Sequence, residues 1–402
     1  MKFLFCFLFL TSFAFAECVS KNHIFLIHGI GGGKSTFGSL EKILNAQNEC
    51  YQARSFEYDT GSDRTPKEFS QDFHKYVSSF PIAANDKISL VMHSQGGLVG
   101  TLWLNHLLTE KLELLKQVDA FVTLSTPFWG ANTAHVGKVL FYSLPAKVET
   151  NPVSPFGRNE LNEMSFGSAT IHEMSQNLES IFASIPNLRP LAVAGMRRKP
   201  GPKLGEDDLI VPTYSMRPNR IYLKDDVQLF NRMARSPASF VETNEIPFVM
   251  VPADHIRLTQ AGVAYIPEKC EKDLDCGHPS LKFILDQIKG NQIGKGSDYD
   301  LARFRFTMFV TNPENLDYEN KDLTIEIGGL DKKTKVPLME RFTPKLGNAK
   351  LKEGLAFTFR GSTKELGTKS LEITLKYKNR AIKTYTAPIE AGRTTFLDVA
   401  LK

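Results

Sequence analysis

The 402-residue chain is 42% hydrophobic and 23% charged, ample for a sizeable core in two or three domains. Its formal net charge is only +5. Residues 297–402 hold the excess, with Lys and Arg outnumbering Asp and Glu by about five. A basic surplus this small and dispersed makes no case for nucleic-acid binding and fits a solvated face.

Residues 1–16 open with a lysine, continue through a run of Phe, Leu and Cys, and close on Ala14-Phe15-Ala16. That is the layout of a secretory signal peptide, and its apolar run is too short to span a bilayer. Glu17 before Cys18 does not suit lipoprotein processing. The expected location is therefore secreted or periplasmic. Cys6 leaves with the leader, so Cys18, Cys50, Cys270 and Cys276 remain in an oxidising compartment, where three pairings are open. Cys18–Cys50 with Cys270–Cys276 is favoured, because Cys18 and Cys50 each precede a predicted strand and the other pair closes a small loop. No C-x-x-C or H-x-x-x-H spacing supports a metal site.

The first strand leads into His28-Gly-Ile-Gly-Gly-Gly-Lys-Ser-Thr36. Gly33-Lys34-Ser35 has the ending of a phosphate-binding loop, but the required glycine five residues before Gly33 is His28. The loop suits a different anion, with the Ile30 N–H as donor and the glycines permitting close backbone approach. His28 reads as a structural residue that holds the loop by a hydrogen bond.

Residues 39–44 read as a helix, 51–58 as a strand and 66–80 as an amphipathic helix. Residues 88–92 are an apolar run, followed by Ser94, Gly96 and Gly97, then Leu98, Val99, Leu102, Trp103, Leu107 and Leu108 at helical spacing. Strand, tight turn and helix meet at Ser94, the setting of a nucleophile elbow, in which the Gln95 N–H faces a developing oxyanion. Met92 stands where that motif normally has glycine, so the packing there has to adapt. His93 reads as packed rather than reactive.

Another buried strand at 118–124 ends in Ser125-Thr-Pro-Phe-Trp-Gly-Ala131. Repeated β-α units of this kind imply a mostly parallel, doubly wound sheet with its ligands at the carboxyl ends of the strands. Residues 132–187 break the rhythm and read as a helical cap or lid, or as an ordinary packed excursion. Strand 188–196 precedes Gly205-Glu-Asp-Asp-Leu-Ile-Val-Pro212, where Asp208, with Asp207 in reserve, suits an acid that orients a histidine. Strand 246–252 ends in Ala253-Asp254-His255. His255 is the candidate general base, with His278 its rival. His74, His106, His135 and His172 fit surface or core roles.

Ser94, Asp208 and His255, each just past a strand and in that order, resemble the α/β-hydrolase superfamily, and within it the secreted bacterial triacylglycerol lipases and esterases. The likeness is carried by residues 24–32, 91–97, 125–131, 208–212 and 254–255. Ser125-Thr-Pro-Phe-Trp-Gly-Ala131 is similar to the lipase S-T-P-h-x-G-S/A segment, with Phe128 where histidine is frequent. Asp208-Leu-Ile-Val-Pro212 is similar to D-G-V-V-P, with Leu209 replacing glycine. The resemblance implies carboxylic ester hydrolysis by a Ser94–His255–Asp208 triad, an oxyanion hole of the Ile30 and Gln95 N–H groups, an acyl ester or lipid substrate, and no cofactor. Some members hold a structural calcium, for which Asp273 and Asp275 are only weak candidates.

Residues 291–298 read as a linker between a catalytic domain at 17–290 and a β-sandwich at 299–402. The sandwich carries no catalytic constellation and is a candidate for contact with a lipid or cell surface. Two other readings stay open: another acyl hydrolase, such as a thioesterase or polyester depolymerase, and a binding protein with an inactive triad, which Met92 favours.

Overall fold

The computed structural model describes residues 18–131, 157–196, 206–227, 239–241, 245–259, 280–311, 322–328, 340–342 and 355–401. The expected leader, the pair Cys270–Cys276, His135, His278, Asp273 and Asp275, and residues 132–156 of the insertion lie outside these.

In chain order the first strands are β1 (Asn22–Ile27), β2 (Tyr51–Phe56), β3 (Lys87–His93), β4 (Val118–Leu124), β5 (Arg189–Gly195), β6 (Ile221–Val227), β7 (Ser239–Val241) and β8 (Phe248–Val251). Six of them form a parallel sheet in the order β2-β1-β3-β4-β5-β8. β1 and β4 are buried along their whole length, which is why they read as unbroken apolar runs. Alternate residues feed two cores. Ile24, Leu26, Val91 and Val122 pack with Leu40, Leu44 and Ile284, while Phe25, Ile27, Leu90 and Phe121 pack with Phe69, Phe73 and Trp103. The strand order turns around between β1 and β3, so the loops after these two strands flank the crevice where such sheets bind ligands.

Helices α1 (Leu40–Gln47), α2 (Pro66–Ser78) and α3 (Gln95–Thr109) cover the sheet. α2 starts by a reciprocal cap. The Thr65 hydroxyl accepts from the Glu68 N–H, and the Glu68 carboxylate accepts from the Thr65 N–H at 2.8 Å. A disulfide joins Cys18 to Cys50 with the Cα atoms 5.5 Å apart, tying together the starts of β1 and β2. Of the insertion, the helices Arg158–Glu163 and Ala169–Ala183 are described.

The tail strands are β9 (Arg303–Thr311), β10 (Leu323–Gly328), β11 (Glu340–Phe342), β12 (Leu355–Ser362), β13 (Ser370–Tyr377), β14 (Arg380–Pro388) and β15 (Thr394–Leu401). They form a three-stranded sheet, β10-β13-β14, and a six-stranded sheet, β11-β12-β9-β15-β6-β7. Phe304, Phe306, Leu397 and Val399 pack against Leu323, Ile373 and Leu375 in a sandwich core. The alternate residues Phe309 and Phe396 face the other way, onto Trp129, Met174 and Met216. β9 is therefore buried on both faces, because its sheet is a middle layer between the small sheet and the part that holds the parallel sheet.

The expected boundary between a domain at 17–290 and a sandwich at 299–402 does not follow the sheets. β6 and β7 precede the histidine strand in sequence, yet β6 pairs in parallel with β15, from Ile221↔Thr395 to Val227↔Leu401. Residues 291–298 are also no free tether. The Ser297 N–H donates to Met250 O at 2.7 Å, and a Cβ on Gly296 would lie 2.7 Å from Met250 N, so this stretch lies against β8.

Candidate active site

Ser94 sits between β3 and α3 with φ 53° and ψ −125°, a conformation an L-residue adopts only when its surroundings impose it. The Ser94 N–H donates to Leu124 O at 2.9 Å, which fixes the turn to the neighbouring strand. The bulk of Met92 is absorbed one helical turn on. A Cβ on Gly100 would fall on Met92 Sδ, so the missing side chain at Gly100 provides the room that glycine at position 92 usually supplies.

The loop after β1 lies against the elbow. A Cβ on Gly29 would stand 2.6 Å from Ser94 Cβ and 3.2 Å from Ser94 Oγ, so only glycine lets the backbone leading to Ile30 approach this closely. His28 holds that loop, as its sequence position suggests. Its Nε2 accepts from the Tyr58 N–H at 3.3 Å, which leaves the proton on Nδ1 to donate to Gly29 O at 2.9 Å. Tyr58 also stacks on the imidazole at 4.2 Å between ring centroids. Burial holds His28 below the usual histidine range, in its neutral form.

Asp208 is wholly buried, and its Oδ2 lies 2.6 Å from His255 Nδ1. Its Oδ1 accepts from the N–H groups of Ile210 (3.0 Å) and Val211 (2.8 Å). Burial pushes this carboxyl up, but the His255 charge and hydrogen bond, the Ser125 hydroxyl and the Val211 N–H outweigh it and hold Asp208 below the ordinary carboxylate range. Asp207 turns elsewhere, accepting from the Leu209 N–H at 3.0 Å. Of the two acids offered by the sequence, Asp208 is the one on the histidine.

His255 is 3% exposed. Its N–H donates to Asp208 O at 2.9 Å, and its carbonyl accepts from His93 Nε2 at 2.9 Å. The His93 and His255 rings are 4.6 Å apart between centroids, so the residue before Ser94 and the candidate base share one corner. Burial and the neighbouring His255 keep His93 far below the usual histidine range, a neutral spacer rather than a second base.

Sequence reasoning missed Ser125, Tyr58 and Glu160. Ser125 accepts from the Gly195 N–H at 3.0 Å, and its hydroxyl faces Asp208 and helps to hold that carboxyl down, a link that only the fold brings together. Phe128 is buried at the base of the insertion with Trp129 and Met164. Among the described residues, the one tight grouping of metal-ligand types is Cys18, Glu49 and Cys50, whose two sulfurs are already joined.

Residues 20–151 match the model of the family described as "Putative serine esterase (DUF676)". In structure, 94% of the chain aligns with 93% of the phospholipase PlaB from Legionella pneumophila, with a TM-score of 0.66 at 14% identity. The same phospholipase in complex with thio-NAD gives a TM-score of 0.64 at 13% identity over the same shares of both chains. The mature lipase BlEst2 from Bacillus licheniformis aligns over 61% of this chain and 89% of its own, with a TM-score of 0.35 at 16% identity. No curated protein matches the sequence.

Proposed function

We propose that this chain, which has the α/β-hydrolase fold, is an exported serine ester hydrolase that cleaves acyl esters of lipids through an acyl-enzyme on Ser94. The observation that carries the reading is the 2.6 Å contact between the buried Asp208 and His255, beside a serine in the strained elbow conformation. With Nδ1 donating to Asp208, the His255 Nε2 lone pair is free to take the Ser94 proton as Oγ attacks the acyl carbon. The N–H groups of Ile30 and Gln95 receive the oxyanion. His255 then gives its proton to the departing alcohol, and water repeats the sequence to release the acid.

The match to a serine esterase family over residues 20–151 supports ester hydrolysis. Phospholipids are the first esters to test, because the whole-chain likeness is to a phospholipase. The accommodation of Met92 by Gly100 removes the feature that favoured an inactive, binding-only site. Export is supported by the leader-like residues 1–16 and by the Cys18–Cys50 disulfide. Contact of the outer β10-β13-β14 sheet with a lipid surface belongs to the same proposal.

The test is hydrolysis of p-nitrophenyl esters from acetate to palmitate, and of phosphatidylcholine vesicles, by the mature protein and its Ser94→Ala variant. Turnover that vanishes in the variant is the expected result. Absence of turnover on every ester, together with no labelling of Ser94 by a fluorophosphonate, overturns the reading.

A further inference from the structure

Glu160, in the short helix Arg158–Glu163, is a carboxyl with no exposed surface, and no step of the mechanism above uses it. Its helix is docked on the loop that follows β2. The Asn159 N–H donates to Asp63 Oδ1 at 2.8 Å, and a Cβ on Gly157 would strike Ser62 O. The Glu160 carboxyl faces the Gln95 side-chain amide and the Gly157 N–H. As the amide is oriented, however, Glu160 Oε1, Glu160 Oε2 and Gln95 Nε2 all lack a well-formed hydrogen bond.

Tyr58 explains why. Its hydroxyl lies 2.7 Å from His28 O and 3.1 Å from Gln95 Oε1. Both are acceptors, and a phenol has one proton to give. A backbone carbonyl can only accept, so the proton goes to His28 O, and the Gln95 amide satisfies the phenol oxygen only by presenting its NH2. Rotating the amide about its terminal bond, an exchange heavy-atom positions scarcely distinguish, achieves this. It also turns Gln95 Oε1 toward Glu160, where an ionised carboxylate would face it lone pair to lone pair. A carboxylic acid instead donates. Every polar group is then satisfied in one direction: Glu160 to Gln95, Gln95 to Tyr58, Tyr58 to His28.

We propose that Glu160 is a positioning residue of the oxyanion hole, which, by donating a hydrogen bond to the Gln95 side chain, locks the elbow to the His28-Gly29-Ile30 loop through Tyr58. The chain joins the two backbone segments whose N–H groups receive the oxyanion, and it starts from the insertion. The ionisable groups facing Glu160 across the interface are Asp59 and Tyr58, with His28 behind the phenol. None offers it a cation. Burial above all, with the Asp59 charge adding to it, pushes the Glu160 carboxyl up to about 8 even though the Gln95 amide, as it is oriented, and the Gly157 N–H draw it down, so the donor form prevails at neutral pH. Above that pH the carboxylate calls for the amide NH2, the amide turns back, Tyr58 swings its proton to Gln95, and the His28 carbonyl is released.

The inference rests on the ester-hydrolase reading for its kinetic test. kcat and KM for p-nitrophenyl butyrate are measured from pH 6 to 10 for wild type, Glu160→Gln and Glu160→Ala, with melting temperatures over pH 5 to 9. Wild-type kcat is expected to fall as the pH rises through about 8. Glu160→Ala should lose about tenfold in kcat at pH 7 with KM little changed, the scale of a misplaced rather than a deleted donor. Glu160→Gln, which keeps an N–H donor without a titrating proton, should recover most of that loss and lack the alkaline fall.

The folded state retains a proton that the unfolded carboxyl gives up near its ordinary value. Wild-type stability should therefore decline from about pH 4.5 to about 8, more steeply than that of Glu160→Gln. Wild-type turnover with the alkaline fall unchanged in Glu160→Gln, or superimposable melting profiles, overturns the role of Glu160 and leaves the esterase reading intact. No wild-type turnover and no organophosphate labelling of Ser94 overturns the esterase reading, and the positioning role with it.

Discussion

Leu209 holds its backbone at φ 95°, a region that favours glycine. The strain sits next to Asp208, whose Oδ1 is gripped by the N–H groups of Ile210 and Val211 just beyond the bend. Leu209→Gly should relieve it and raise stability by about 1 kcal/mol, seen as a higher melting temperature. Asp208→Asn keeps the shape but favours the wrong His255 tautomer, and should cost about 10⁴-fold in kcat while Ser94 remains in place. Because Asp208 lies below the ordinary carboxylate range when folded, the stability it contributes is present above about pH 3.8 and is lost as acid titrates it below that value. Denaturant unfolding of wild type and Asp208→Asn between pH 2 and 6 should show the two converging at the acid end.

At this scale the sequence speaks clearly where chemistry follows an apolar strand. Ser94 and His255 each follow such a run, Asp208 heads the short apolar run Leu209-Ile-Val211, and His28 and Ile30 begin a glycine loop. Glu160 and Tyr58 carry no such mark. A lone acid in an irregular insertion reads as surface, and only the docking of its helix on the loop after β2 buries it.

Among the elements, β3 and α3 are matched through Met92 and Gly100, a pairing invisible to a motif that inspects only the residues around Ser94. Gly100→Ala alone should cost about 1–3 kcal/mol by overpacking, and Met92→Ala about 2–5 kcal/mol by leaving a cavity. The double variant should cost less than the sum, since each change makes room for the other, and a double-mutant cycle in urea reads the coupling. The disulfide is a second element-scale device. Cys18 and Cys50 are separated by 32 residues, and closing such a loop is worth about 3–4 kcal/mol in the chain-entropy account. Cys18→Ala/Cys50→Ala should be less stable by that order, seen as a lower midpoint in urea. The strands on this side are legible because both faces are apolar. β6 is less so, because Ile221-Tyr-Leu-Lys-Asp-Asp-Val227 mixes apolar and charged residues and takes one of its two partners, β15, from the distant tail.

Across the whole molecule three layers stack: the small sheet, the six-stranded tail sheet, and the parallel sheet with its insertion. Polar pairs join the last two. Asp398 of β15 accepts from Gln176 Nε2 at 2.6 Å and from the Tyr222 hydroxyl at 3.0 Å, and Arg220 lies 3.0 Å from Glu179. A chain cut at residue 296 would strip β6 of its β15 partner and bare Trp129, Met174 and Met216, which Phe309 and Phe396 help to cover. It should be recovered as aggregate rather than as a monomer in size-exclusion chromatography. Sequence reading places the sandwich but draws its border in the wrong register of the chain, since composition reports where strands lie and not which sheet they join.

The crossing of β6 into the tail sheet also sets an order of events during synthesis. Asp208 and His255 leave the ribosome on either side of a strand whose partner, beginning at Thr395, has yet to be made. Until β15 is translated, Ile221–Val227 has an open edge in the very segment that joins Asp208 to His255. The distance along the chain between Ile221 and Thr395 makes this closure a late event. The pairing of Asp208 with His255 in a nascent chain thus waits on a strand that contributes no residue to it.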